Sequence, residues 1–226
     1  KTVVYDFRSQ DVLMGGNGAP LVPIGDELLF SEFDACLNLG GFSNISLKKN
    51  EERIAFDISP LNVVLNFFAE KLGKNYDENG DFAKNGNINL AILEQLNALD
   101  FYKKQHPKSL GIEFVNAEIF PLLNNETPEN ILATFTEHIA IQISKVFNEN
   151  QLKKVLVTGG GAFNAYLIEK LKEKTTSEII IPDEKIINFK EALIFALMGI
   201  LRLNNEVNVL CSATGSSANH SSGIIV

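Results

Sequence analysis

Cysteine is scarce in this chain. Only Cys36 and Cys211 occur, neither near another Cys nor in a Cys/His cluster. That pattern leaves no disulfide framework and no zinc site, and fits two buried or half-buried thiols in a reducing compartment. The three histidines, His106, His138 and His220, are scattered, and His138 falls inside a helical pattern. Basic runs are missing. With 20 Lys+Arg against 28 Asp+Glu and a formal net charge of -8, nucleic acid is not an expected partner. A phosphorylated ligand on so acidic a chain would arrive with a metal counter-ion, Mg²⁺ being the usual one.

Long hydrophobic runs are missing too. The longest, Ala192 to Leu201, is too short to span a bilayer and is flanked by charge like a buried helix. No signal peptide is visible. The chain opens on Lys1-Thr2-Val3-Val4-Tyr5 without a Met, which reads as a cut at an internal boundary. Three phosphate devices are absent: the G-x-x-x-x-G-K-[ST] loop, the G-x-G-x-x-G fingerprint and the protein-kinase loop signatures.

What is present is a pair of glycine turns far apart in the chain. Leu37-Asn38-Leu39 runs into Gly40-Gly41-Phe42-Ser43-Asn44, and Val155-Leu156-Val157-Thr158 runs into Gly159-Gly160-Gly161-Ala162-Phe163-Asn164. Each follows a short apolar run that reads as a buried strand. Glycine admits positive φ and lets a ligand approach backbone N–H groups, so two such turns can hold the two ends of one nucleotide. Either alone reads equally as a tight turn.

Periodicity supplies the rest of the order. Val3 to Phe7 reads as a strand and Arg8 to Val22 as a glycine-rich loop. Residues 35–39, 44–48 and 53–58 read as an antiparallel meander. A helix follows from Pro60 to Leu72. Tyr76 to Asn87 reads as a surface loop, without the ligand order of an EF-hand. Leu90–Leu99 is a helix, His106–Gly111 a loop, and Pro128–Phe147 a long amphipathic helix. Strands at 154–158 and 178–181 alternate with helices at 165–174 and 189–203, and residues 216–223 read as a surface loop. A meander followed by alternating strands and helices predicts an α/β fold, with a mixed sheet in β-β-β-α-β-α-β-α order and helices on both faces. Two regions follow: residues 1–34, a strand and glycine-rich loop, and residues 35–226, a lobe with a helical excursion over 73–150.

Four polar positions are candidates for chemistry. Asp6, ending a strand beside a glycine-rich loop, is placed to act as a general base, or to pair with Arg8. Arg8 can hold a phosphate or carboxylate bidentately. Asp57 can hold a hydrated Mg²⁺ or cap a helix. Glu191, at the opening of the last helix, suits the dipole there and can also accept from a sugar hydroxyl.

These residues resemble the anhydro-N-acetylmuramic acid kinases of the sugar kinase/Hsp70/actin superfamily. The resemblance rests on Asp6-Phe7-Arg8-Ser9-Gln10-Asp11-Val12, the run from Gly15 to Pro23, the two glycine turns, Pro107-Lys108-Ser109-Leu110-Gly111 and Lys190-Glu191-Ala192. It implies an RNase H-like (actin-like ATPase) lobe in a cytoplasmic enzyme of peptidoglycan recycling. That enzyme uses ATP and water to open a 1,6-anhydro sugar and phosphorylate O6. Asp6 would be the base and Arg8 and Glu191 sugar contacts. Gly40, Gly41 and Asn44 would serve the phosphates, and Gly159, Gly160, Gly161 and Asn164 the adenosine. A homodimer is among the implied states. The family's Gly-Gln-Gly is Gly16-Asn17-Gly18 here, and its Asp-Thr-Gly-Pro-Gly-Asn is Asp57-Ile58-Ser59-Pro60-Leu61-Asn62. The N-terminal Gly-Thr-Ser-x-Asp-Gly lobe is not present. The expectation is therefore one lobe plus the base-bearing strand, inactive by itself. Another amino-sugar kinase, such as an N-acetylglucosamine kinase, and a non-catalytic nucleotide- or muropeptide-binding module are the alternatives.

Overall fold

A computed structural model describes residues 1–226. In chain order the elements are β1 (Val4–Tyr5), α1 (Ser9–Leu13), α2 (Pro23–Leu29), β2 (Ala35–Leu39), β3 (Phe42–Lys49), β4 (Glu52–Pro60), α3 (Asn62–Lys71), α4 (Asp81–Asn85) and α5 (Leu90–Ala98). They continue with α6 (Ile112–Phe114), a π-helical turn (Val115–Ile119), α7 (Phe120–Leu123), α8 (Pro128–Glu149), β5 (Lys154–Thr158), α9 (Ala165–Lys172), β6 (Glu178–Ile180), α10 (Glu184–Leu203), α11 (Cys211–Thr214) and β7 (Ile224–Ile225).

Five strands form one sheet in the order β4-β3-β2-β5-β6. β3 is antiparallel to β2 and β4, whereas β2, β5 and β6 run parallel. This is the strand order of a ribonuclease H-like lobe, the fold that the resemblance implied. Alternate side chains face opposite sides of a strand, and β2 shows the consequence. Ala35, Leu37 and Leu39 enter the main core with residues of α3, α8 and α9, whereas Cys36 packs on the other side with Phe33 and Leu156. On that second side α2 and α10 share a smaller core built on Leu21, Ile24, Ile194 and Met198.

Helix α8 buries an apolar stripe of Ile131, Leu132, Phe135, Ile139 and Ile143 in the main core, so it is a layer of the lobe. Its Thr127 caps the N-terminus by accepting from Asn130 N–H at 3.4 Å. His138 is wholly buried on this helix, its Nδ1 bonded to Asn97 Oδ1 at 2.7 Å and its Nε2 to the Tyr102 hydroxyl at 2.8 Å. Burial holds its pKa down to about 3. Above the unfolded value near 6.5 both states are neutral and the contribution is complete. Below it only the unfolded chain takes the proton, so stability falls by about 1.4 kcal/mol per pH unit until pH nears 3. His138→Gln is expected to remove that one-proton slope from urea-unfolding free energies measured between pH 7 and 4. An unaltered slope would assign the acid sensitivity to other groups.

Several local expectations are corrected. The 8–22 loop contains α1, which buries Asp11 and leaves Val12 and Leu13 exposed, and α2 was not anticipated, its acidic residues masking a short apolar face. Tyr76–Asn87 is not a plain surface loop: Asp77 accepts from Phe82 and Ala83 N–H at 2.8 and 3.0 Å and starts α4. Helix α10 begins at Glu184, ahead of the expected start at residue 189, because Asp183 caps it by accepting from Ile186 N–H at 3.0 Å. Residues 216–223 are not a surface loop, since Ser216, His220 and Ser222 are buried. The N-terminal strand is short and pairs antiparallel with β7 in a separate ribbon. No helix is long and apolar enough to cross a membrane.

Candidate functional site

A cleft of about 860 Å³ opens on the second side of the sheet. Strand register builds its floor. Asn38 lies opposite Asn44 and beside Thr158, and Asn44 lies opposite Asp57. The four form a polar row across β4, β3, β2 and β5, and all line the cleft. Their chain neighbours Leu37, Leu39, Ile45 and Val157 belong to the main core. Because β2 and β5 are parallel, their carboxyl ends open on one edge, where ligands settle in open α/β sheets. The chain turns there at Gly40 and Gly159, both in the cleft wall.

Of the residues singled out in the sequence, Arg8, Gly40, Asn44, Asp57, Gly159 and Glu191 line this cleft. Asp6, Gly41, Gly160, Gly161 and Asn164 do not. Asp6 does not pair with Arg8. It is exposed, at φ 53°, and its Oδ1 accepts from Ser9 N–H at 3.1 Å. Hydrogen bonds from Ser9, side chain and backbone, hold its carboxyl below the usual range. Asn164 caps α9 by accepting from Leu167 N–H at 3.0 Å. Asp57 neither ends its strand nor caps a helix. Its Oδ2 accepts from Leu110 N–H at 2.7 Å, which pins the 106–111 loop, and burial pushes its pKa up. Glu191 does not open a helix but sits inside α10.

Of the glycines in the two turns, only Gly159 uses the positive φ that glycine admits. Its φ of 84° and ψ of 164° fall in a region essentially reserved for glycine. A Cβ there would also lie 2.5 Å from Asn38 Oδ1 and 2.8 Å from the Leu39 carbonyl carbon. Gly160 has open space around it, and a Cβ at that position would meet only Asn62 Nδ2, at 3.9 Å. Gly159→Ala is therefore expected to destabilise the fold by about 1–3 kcal/mol, and Gly160→Ala by less than about 0.5 kcal/mol. Paired thermal melts check the contrast, and equal costs would contradict it.

Four wall residues escaped the sequence reading: Asn38, Thr158, Asp26 and Lys190. The first two carried a signal, a polar residue late in an apolar run, directly before glycine at Thr158 and two residues before it at Asn38. The other two form a nearly buried ion pair, Lys190 Nζ to Asp26 Oδ1 at 2.6 Å, with side chains 8% and 3% exposed. Nothing local links residues so far apart in sequence. Burial, helped by the Asp26 charge, pushes the neighbouring Cys36 thiol up to about 12, so it stays protonated. No group of three His, Cys, Asp or Glu side chains has the arrangement of a metal cluster.

The family model described as anhydro-N-acetylmuramic acid kinase matches residues 1–226. The chain belongs to that family. An anhydro-N-acetylmuramic acid kinase of Francisella tularensis subsp. novicida is 34% identical over 96% of this chain and 62% of its own length. That of Haemophilus influenzae is 36% identical over 99% of this chain and 65% of its own length. The chain thus spans less than two thirds of these curated relatives. Among solved structures, the activator of the 2-hydroxyisocaproyl-CoA dehydratase from Clostridium difficile aligns with 76% of this chain and 62% of its own, at 18% identity and a TM-score of 0.49. Within the anhydro-N-acetylmuramic acid kinase family, this chain contributes a sheet edge carrying Gly40, Gly159 and the Asp57–Asn44–Asn38–Thr158 row.

Proposed function

We propose that the protein carrying this chain is an ATP-dependent kinase that converts 1,6-anhydro-N-acetylmuramic acid to N-acetylmuramic acid 6-phosphate. The observation that carries the reading is family membership over the whole chain, joined to a cleft at the carboxyl ends of parallel strands whose wall includes the first glycine of each turn, Gly40 and Gly159. Asp6 takes a proton from water as the water oxygen attacks the anomeric carbon. The bond from that carbon to O6 breaks, O6 accepts the γ-phosphoryl group, and ADP leaves. Ser9 keeps Asp6 ionised at neutral pH, as a base requires. Arg8 and Glu191 face the sugar, Gly40 and Asn44 the phosphates, and Gly159 the adenosine side; Gly41, Gly160, Gly161 and Asn164 support those turns from outside the cleft wall.

Mg²⁺ fits this wall sparingly. It keeps several waters and needs one or two carboxylates beside the nucleotide phosphates. Asp57 supplies one, with Oδ2 bonded to Leu110 and its other oxygen free. When bound, the ion would neutralise charge developing on the phosphoryl oxygens. The reading also carries a cytoplasmic location and a homodimer; sedimentation of the full-length protein tests the latter.

The test is product analysis. Full-length protein with ATP and the anhydro sugar should yield a product heavier by one phosphoryl group and one water. Preference for open N-acetylglucosamine would favour another amino-sugar kinase, and binding without turnover a non-catalytic module.

A further inference from the structure

A second polar cluster lies behind the Gly15–Gly18 turn. Asp11 is fully buried, at 0% exposure. Its Oδ2 accepts from Gly18 N–H at 2.7 Å and its Oδ1 from the Thr214 hydroxyl at 2.7 Å. Arg8 Nη1 donates to the Gly18 carbonyl at 2.6 Å, so both backbone groups of Gly18 are held. The turn is stitched further by Asn17 N–H to the Thr214 carbonyl at 2.9 Å and Ser217 N–H to the Met14 carbonyl at 3.0 Å. Gly16 packs so closely on Asp11 that a Cβ would overlap the carboxylate. His220 Nδ1 is 3.0 Å from the Ala218 carbonyl, and its Nε2 stands 3.7 Å from Asp11 Oδ1.

A carboxylate removed from water is tolerated only when its lone pairs are filled. Asp11 fills them with donors from the turn and from a residue on the opposite end of the chain. What it holds faces the cleft: Arg8, Asn17, Ala19 and Pro20 line one wall. A carboxamide such as that of Asn17 both donates and accepts, which suits a hydroxyl.

We propose that Asp11 is a positioning residue: through Gly18 and Thr214 it fixes the glycine turn so that Asn17 meets a sugar hydroxyl in the cleft. The sugar's identity rests on the kinase reading above; the clamp does not. The test uses full-length protein with Thr214→Val, which removes the hydroxyl at nearly constant shape, Thr214→Ser, which keeps it, and Asn17→Ala on the exposed tip. Thr214→Val should raise the sugar KM about tenfold, leave the ATP KM within about twofold, and speed hydrogen exchange of the Gly18 amide about tenfold. Asn17→Ala should raise the sugar KM alone, and Thr214→Ser should match the wild type. Unchanged Gly18 exchange in Thr214→Val, an equal rise in both KM values, or Thr214→Ser behaving like Thr214→Val would each overturn the proposal. If the wild type fails to phosphorylate the anhydro sugar, the kinase reading falls, and Gly18 exchange alone decides the clamp.

Discussion

Asp6→Asn in the full-length protein is expected to lower turnover of the anhydro sugar by about 10²–10⁴-fold, the usual worth of a general base. The structure makes this substitution a clean one. Asn tolerates the left-handed φ of 53° at position 6 as readily as Asp does. Its side-chain oxygen can still accept from Ser9 N–H, which now bonds Asp6 Oδ1. Arg8 loses no partner, because its guanidinium is engaged with the Gly18 carbonyl. The melting temperature should therefore stay put, and the sugar KM should move little. Turnover within a few-fold of the wild type would remove Asp6 from the mechanism. Loss of folding with normal turnover per folded molecule would make it structural.

Lys190→Met is expected to cost about 3–5 kcal/mol of folding stability, because it strands the Asp26 carboxylate without its counter-charge. The pair is 2.6 Å apart with both side chains over nine-tenths buried, and the Phe30 ring lies 5.3 Å from Nζ. Little water reaches the site to compensate. The double variant Asp26→Leu/Lys190→Met should recover most of the loss, since apolar replacement of a buried pair is often neutral or better. Urea unfolding of the two variants measures both. A cost below about 1 kcal/mol for Lys190→Met would show that the cleft hydrates Asp26 adequately.

The meander, β5, β6 and α8 were legible because their signals are local. Apolar runs end at glycine, and Ile131, Phe135 and Ile139 repeat at helical spacing. The glycine turns were legible as turns, but the residue needing positive φ was not: neighbouring glycines look alike until Gly159 is seen against Asn38 and Leu39. α2 escaped notice because Pro23, Gly25 and two acidic residues mask an apolar face completed only by Ile194 and Met198 of α10.

By itself, then, the sequence determined the α/β class, the strand order along the chain, the two glycine turns and the resemblance carried by its motifs. Local periodicity and glycine placement are properties of adjacent residues. Tertiary structure alone decided which polar side chains meet. The row Asp57–Asn44–Asn38–Thr158 depends on strand register, where a slip of one residue turns each side chain to the opposite side of the sheet. The pairs Asp26–Lys190 and Asp11–Thr214 join opposite ends of the chain. Such contacts are set by how helices and turns pack on the sheet, and no short-range pattern encodes that packing.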